Sequence, residues 1–166
     1  IELVDYDPAW PEKFTAEKEV LLKSLAPWLF GPIEHVGSTA VPGLRAKPVI
    51  DIMVSVETLP SSRDAIPVLE KLGYNYWPYK ADVMHWFCKP SDDFRTHHLH
   101  LIPMNSPLWH ARLAFRDTLR RDASAAAQYV ALKDRLAAQH RNDREAYTEG
   151  KTDFVQRIVA RALDQP

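Results

Sequence analysis

Cysteine is almost absent. Cys88 stands alone among 166 residues, so no intramolecular disulfide can form, and a reducing compartment is expected. Also missing is any apolar run long enough to cross a bilayer, and the charged N-terminal stretch has no signal-peptide core. These two absences predict a cytoplasmic location and no membrane partner. Charge of one sign is lacking too. A formal net charge of −1 argues against bulk attachment to nucleic acid, while leaving room for a local basic groove. No Walker loop and no dinucleotide-binding glycine pattern occurs. Repeats, low-complexity stretches and linkers are missing as well, so residues 1–166 read as one domain. With 46% hydrophobic and 26% charged residues, the chain has ordinary globular composition and enough length to bury a core.

What is present is a helix, then a group of strands, then helices. Pro11 opens a helical pattern in which Phe14, Val20, Leu21, Leu22 and Leu25 are the apolar positions. Residues 33–36 and 49–56 read as strands. Ser61 or Ser62 is placed to cap a helix running to Leu72, with Gly73 at its C-terminal end. Residues 74–77, 85–89 and 96–102 read as strands, the last two joined by a turn at Ser91-Asp92-Asp93. Ser106 suits an N-cap and Pro107 a first helical position. Beyond them Leu108, Ala111, Phe115 and Leu119, then Ala125, Tyr129, Leu132 and Leu136, recur at helical spacing. A final stripe holds Phe154, Val155, Ile158, Val159 and Ala162. The fold class expected is α+β, a mixed sheet with an N-terminal helix and C-terminal helices.

Chemistry concentrates between residues 35 and 52, in the stretch HVGSTAVPGLRAKPVIDI. A strand enters a Gly-Ser turn, a loop with two cations follows, and a second apolar strand carries one acid. Gly37 lets a ligand approach the backbone closely. Ser38 and Thr39 offer hydroxyls beside turn amides that can meet an anion. Arg45 and Lys47 add positive charge. Asp51, between Ile50 and Ile52, puts a carboxylate into a run that otherwise looks buried, where an unpaired charge is costly.

This stretch resembles the opening of a nucleotidyltransferase-fold domain, and its fuller wording is similar to the GrpB family. The segments RTHHLHLIP, WHARLAFRDTLR, and YVALKDRLA through YTEGKTDFV agree with that family, so the resemblance covers nearly the whole chain. It implies a nucleotidyltransferase-like sheet and a site for a nucleotide or similar anionic small molecule. Working members of that superfamily carry two acids on the second strand and a third on a later strand, which together hold two divalent cations. In this sequence Val49 takes the first position and only Asp51 remains. One carboxylate is a poor basis for holding two ions. Any transfer chemistry is therefore expected to use one metal or another substrate geometry.

Thr96-His97-His98-Leu99-His100-Leu101 is the second informative segment. Alternation in a strand puts His98 and His100 on one face. Should this strand neighbour the one carrying Asp51, two imidazoles and a carboxylate converge. Such a set suits one divalent ion, Mg, Mn or Zn. His35 and His85 are weaker candidates for lining a pocket, and His110 and His140 read as helix-surface residues.

Arg116 and Arg120 share one helical face, Lys133 follows Tyr129 by four residues, and Lys151 precedes the last helix. The resemblance places Arg116, Lys133, Tyr147 and Lys151 in recurrent motifs, which makes them candidates for binding phosphate or carboxylate. Trp77, Tyr79, Trp86 and Trp109 could stack a base, although such rings usually pack cores. Ser38 as a nucleophile, with His98 or His100 as its base, lacks a nucleophile elbow. Cys88 has no thiolate-stabilising neighbour in sequence.

The expected site thus has Asp51, Ser38, His98 and His100 for catalysis. Gly37, Ser38, Thr39, Arg45, Lys47, Arg116, Lys133 and Lys151 contact the ligand, and Asp51, His98 and His100 hold metal. Nucleotidyl or phosphoryl-group transfer leads the functional readings. A non-catalytic domain binding a ligand or protein partner follows, and a metal-dependent hydrolase or lyase comes third.

Overall fold

A computed structural model describes residues 1–164. Helix α1 (Trp10–Ser24) has proline in its first turn, where the missing N–H costs nothing. Strands β1 (Ile33–Val36) and β2 (Ile50–Val56) follow, joined through a short 3-10 turn at Ser38–Ala40. Helix α2 (Ala65–Lys71) leads to β3 (Asn75–Trp77), β4 (His85–Pro90) and β5 (Arg95–Pro103). Four helices complete the described residues: α3 (Pro107–Arg121), α4 (Ala123–Gln139), α5 (Arg144–Glu149) and α6 (Thr152–Leu163). Ser106 caps α3 by accepting from the Trp109 amide, with Pro107 beside it. Among the described residues no helix is long and apolar enough to cross a membrane.

The architecture is α+β, as the sequence predicts, with a five-stranded mixed sheet in the order β1-β2-β5-β4-β3. Only β2 and β5 run parallel; the other pairings are antiparallel. One start signal is used differently. Ser62 Oγ donates to the Thr58 carbonyl and Thr58 Oγ1 to Ser61 Oγ, both at 2.7 Å. The two serines thus close a 3-10 turn at Pro60–Ser62, and α2 begins later, at Ala65. Gly73 ends that helix with φ +94°, a conformation that favours glycine.

Alternation along β2 and β5 decides what each face of the sheet does. Ile50, Ile52, Val54 and Val56 join Leu99 and Leu101 beneath α1 and α2, in a core with Leu21, Leu25 and Leu69. Met53 and Ile102 turn to the other face, where Leu108, Trp109 and Leu113 of α3 cover them. Trp109 Nε1 donates to Ser55 Oγ at 2.8 Å and so ties α3 to that face. A third cluster, built on Leu119, Tyr129, Phe154 and Ile158, packs the C-terminal helices over Val41 and Leu44 of the β1–β2 loop. The helices thereby bring their polar residues to the same loop.

Candidate functional site

The β1–β2 turn is pressed against the second strand. Gly37 has φ +75°, and a Cβ at that position would overlap the Asp51 carboxylate. Glycine is required there twice, by backbone conformation and by close approach. The parallel register sets Asp51 opposite His98 and Met53 opposite His100, so strand pairing alone brings both imidazoles to Asp51. His98 Nδ1 donates to Asp51 Oδ1 at 3.1 Å. His100 Nε2 stands 3.5 Å from the same oxygen, outside hydrogen-bond geometry. Burial by itself would raise the Asp51 carboxyl, but the contacts with His100 and His98 outweigh it and hold the group well below the usual carboxylate range. Burial drives His100 down to about 4 despite Asp51. The cluster is therefore one carboxylate flanked by an imidazole that stays neutral at pH 7 and a second that donates to it. The Asp51 side chain keeps 27% of its surface exposed, so solvent reaches the site.

Three lysines from separate elements close on this carboxylate's surroundings. Lys133, only 2% exposed, donates from Nζ to Ser38 Oγ at 3.1 Å and to the Arg45 carbonyl at 2.5 Å. Its ammonium lies 4.8 Å from the centre of the Tyr129 ring. Lys47 and Lys151 approach one ring together, at 5.4 and 4.5 Å from the centre of Tyr147. Among the described residues none of the three has a carboxylate within 4.0 Å. Burial and the neighbouring lysines push Lys133 down to about 7. Burial and Lys151 take Lys47 to about 8, and burial takes Lys151 to about 8 against the pull of Asp51. Unpaired ammonium groups out of water are costly.

The structure thus brings together Gly37, Ser38, Lys47, Asp51, His98, His100, Lys133 and Lys151. Three other expected contacts are spent elsewhere. Arg116 is consumed by Glu34 at 2.7 Å and Asp117 at 3.0 Å, and it donates to the His35 carbonyl. Arg45 turns outward, pairs with Asp134 at 3.5 Å and donates to the Leu3 carbonyl. Thr39 is buried, accepts from His35 Nε2 at 2.8 Å and donates to the Val49 carbonyl. For Arg116 and Arg45 a partner distant in sequence claims the group, whereas Thr39 is taken by His35 and Val49 nearby. His35 stacks on Phe14 and His85 bonds the Leu59 carbonyl, so both act inside the fold. Arg120 braces the turn through the Ala40 carbonyl.

The fit to divalent ions fails on the residues present. Among the described residues no three His, Cys, Asp or Glu side chains are arranged to hold a metal. On Asp51's own face Met53 is fully buried and Val49 has no oxygen ligand in its side chain. The geometry of Asp51, His98 and His100 is that of a hydrogen-bonded cluster rather than the expected ligand set, and the charges gathered around it are positive.

Arg112 joins these residues from outside the expected set. Its Nε is buried without a partner, and its charge acts on Asp51. A signal existed: Arg112 falls on the α3 stripe of Leu108, Phe115 and Leu119, where an arginine interrupts apolar spacing. Tyr129, on the apolar stripe of α4, also seats the Lys133 ammonium over its ring. Trp86 lies 5.2 Å from His98, centre to centre, with Tyr79 at its edge.

Comparison with known proteins agrees with this architecture. In fold, the chain is similar to the Cid1 poly(U) polymerase solved with MgGTP bound (TM-score 0.54, 17% identity, 80% of this chain and 43% of that one). It is likewise similar to the GLD-2/RNP-8 complex (TM-score 0.59, 12% identity, 98% and 62%). A crystal structure of the conserved protein GrpB from Enterococcus faecalis matches far more closely, with TM-score 0.88, 34% identity, and 98% and 97% of the two chains covered. A UPF0157 protein of Pseudomonas aeruginosa is 42% identical over 98% of this chain and 68% of its own length. The family model described as GrpB protein matches residues 1–161, and on that extent this chain, with its nucleotidyltransferase-like fold, belongs to the GrpB family.

Proposed function

We propose that this protein binds a nucleotide or another phosphorylated small molecule at the Gly37–Ser38 turn and carries out nucleotidyl or phosphoryl-group transfer on it. The observation that carries this reading is the convergence of Lys47, Lys133 and Lys151 on Ser38 and Asp51 with no carboxylate in ion-pair reach of any of them. Phosphate oxygens would satisfy all three ammonium groups, and Lys133 would position Ser38 beneath them. Arg112, with an idle buried Nε, adds a further cation. Asp51 stays ionised, so it is suited to accept a hydrogen bond from a ligand or acceptor hydroxyl. Trp86 and Tyr79 flank the His98 side of the site, where a base would find apolar surface.

Likeness in fold to a polymerase solved with MgGTP supports the class of ligand. Titration calorimetry against nucleoside triphosphates, followed by incubation with labelled triphosphates, tests both halves of the reading. Heat of binding and transfer of label are the expected results. Absence of binding to the wild-type protein overturns it.

A second reading, a domain that binds its ligand without turning it over, draws on a specific observation. Val49 and Met53, the neighbours of Asp51 on its face of β2, cannot ligate ions or move protons. Binding without transfer of label would select it.

A further inference from the structure

We propose that the site takes its ligand as a metal-free polyphosphate, the ammonium groups of Lys47, Lys133 and Lys151 standing where divalent ions would otherwise neutralise the phosphates. The inference rests on the phosphate-binding reading above and adds the ionic form of the ligand.

Charge is the first support. Three cationic side chains, Lys47, Lys151 and Arg112, act on the Asp51 carboxylate, Lys133 holds the neighbouring Ser38, and that carboxylate already has two imidazoles at 3.1 and 3.5 Å. A divalent ion entering here meets net positive charge and one oxygen ligand of usable geometry, whereas such ions are held by several oxygens. A free polyphosphate meets the opposite situation, since each of its phosphates brings the charge that the lysines lack.

Placement is the second support. Lys47 and Lys151 sit over one aromatic ring, Tyr147, with like charges side by side and no acid within 4.0 Å of either among the described residues. Tyr147 is 1% exposed and gives both stems a fixed floor. Lys133 reaches the same region from α4 and is pinned by the Ser38 hydroxyl and the Arg45 carbonyl. The cations arrive from the β1–β2 loop, from α4 and from the start of α6. Lys133, on α4, is held by those two bonds with little freedom left to lose on binding.

Binding of ATP and of inorganic tripolyphosphate to the intact protein, each in excess EDTA and in excess magnesium, tests the proposal. Expected is binding of ATP in EDTA at least as tight as in magnesium. Tripolyphosphate binding alongside it places recognition in the phosphates alone. ATP binding without tripolyphosphate also supports metal-free binding and adds the nucleoside to what is recognised. Lys151→Met, with its fold verified by circular dichroism, should weaken ATP binding in EDTA by about tenfold or more.

Binding seen only with magnesium, or tighter in magnesium than in EDTA, overturns the metal-free inference and leaves the phosphate-binding reading standing. No binding under either condition overturns both.

Discussion

The two faces of the sheet are built from the same strands and do opposite work. Toward α1 and α2, β2 and β5 present Ile50, Ile52, Val54, Leu99 and Leu101, all buried in one apolar core. Toward α3 and the C-terminal helices, half-buried Asp51 and His98 and buried His100 share the face with the apolar Met53 and Ile102, and lysines from three elements gather near them. Because strand side chains alternate with period two, a rigid packing face directly backs a strained polar one. The first supplies stability. The second spends some of it on groups kept without partners, a common feature of sites that must receive a ligand.

The sharpest way to break the contrast is to damage the packing face. Ile52→Ala, at a fully buried position, should lower unfolding free energy by about 2–5 kcal/mol. Ligand affinity per folded molecule should remain near wild type, since Ile52 points away from Asp51. Urea titration and calorimetry on the same preparation read the two effects separately, and a matching collapse of affinity would show that the faces are not independent.

At the junction of the two faces stands Gly37. Alanine there must adopt φ +75° and displace the Asp51 carboxylate, so a loss of about 1–3 kcal/mol is expected. Imidazole resonances of His98 and His100 should shift along with it. A melt and spectrum unchanged from wild type would mean that the turn does not press on Asp51.

On the polar face the sign of the stability effect should reverse. Lys151→Met removes a half-buried cation that has no acid in reach, and should leave stability unchanged or raise it by about 0.5–2 kcal/mol while phosphate affinity falls. The same logic fixes the pH dependence of the ligand-free protein. Lys133 near 7 and Lys47 and Lys151 near 8 bind fewer protons folded than unfolded until the pH approaches the ordinary lysine value of about 10.4. Stability should therefore rise with pH from about 7 toward about 10. Saturating polyphosphate, by keeping the lysines charged, should flatten that rise. Below neutrality His35 and His100, both held near 4 by burial, work in the same direction. Their contribution is complete above about 6.5 and is lost as pH falls toward 4. Urea midpoints across pH 5 to about pH 9.5 check both arms; a flat profile through the alkaline arm would remove the case for strained lysines.

The smallest effect is expected at Arg45. Its pair with Asp134 is nearly half exposed, so Arg45→Ala should cost less than about 1 kcal/mol and leave ligand binding unaltered. A large loss of affinity would return Arg45 to the site.

Much of this was legible in the chain itself. The strand–turn–strand opening was visible because Gly37 interrupts an apolar run and Asp51 interrupts the next. The pairing of His98 with His100 on one face follows from alternation alone. The pairing of Arg116 cannot be read from its helical spacing, because Glu34, its partner at 2.7 Å, lies 82 residues away. Arg112 escaped it because one charged residue on an otherwise apolar helix stripe is common, and only packing shows whether its Nε meets solvent.

Sequence by itself determined the order of elements, the face on which each strand residue lies and the place of the glycine turn. Those features depend on neighbours two to four positions apart and on backbone conformations that few residues adopt. Tertiary structure decided which cations stay free. Lys47, Lys133 and Lys151 are no more distinctive as letters than Arg45 or Arg116, and the difference between them is whether a carboxylate stands within ion-pair reach. That distance is set by how α3, α4 and α6 dock on the sheet. Coulomb interaction and desolvation act through space, so the roles of these charges exist only once the chain has closed.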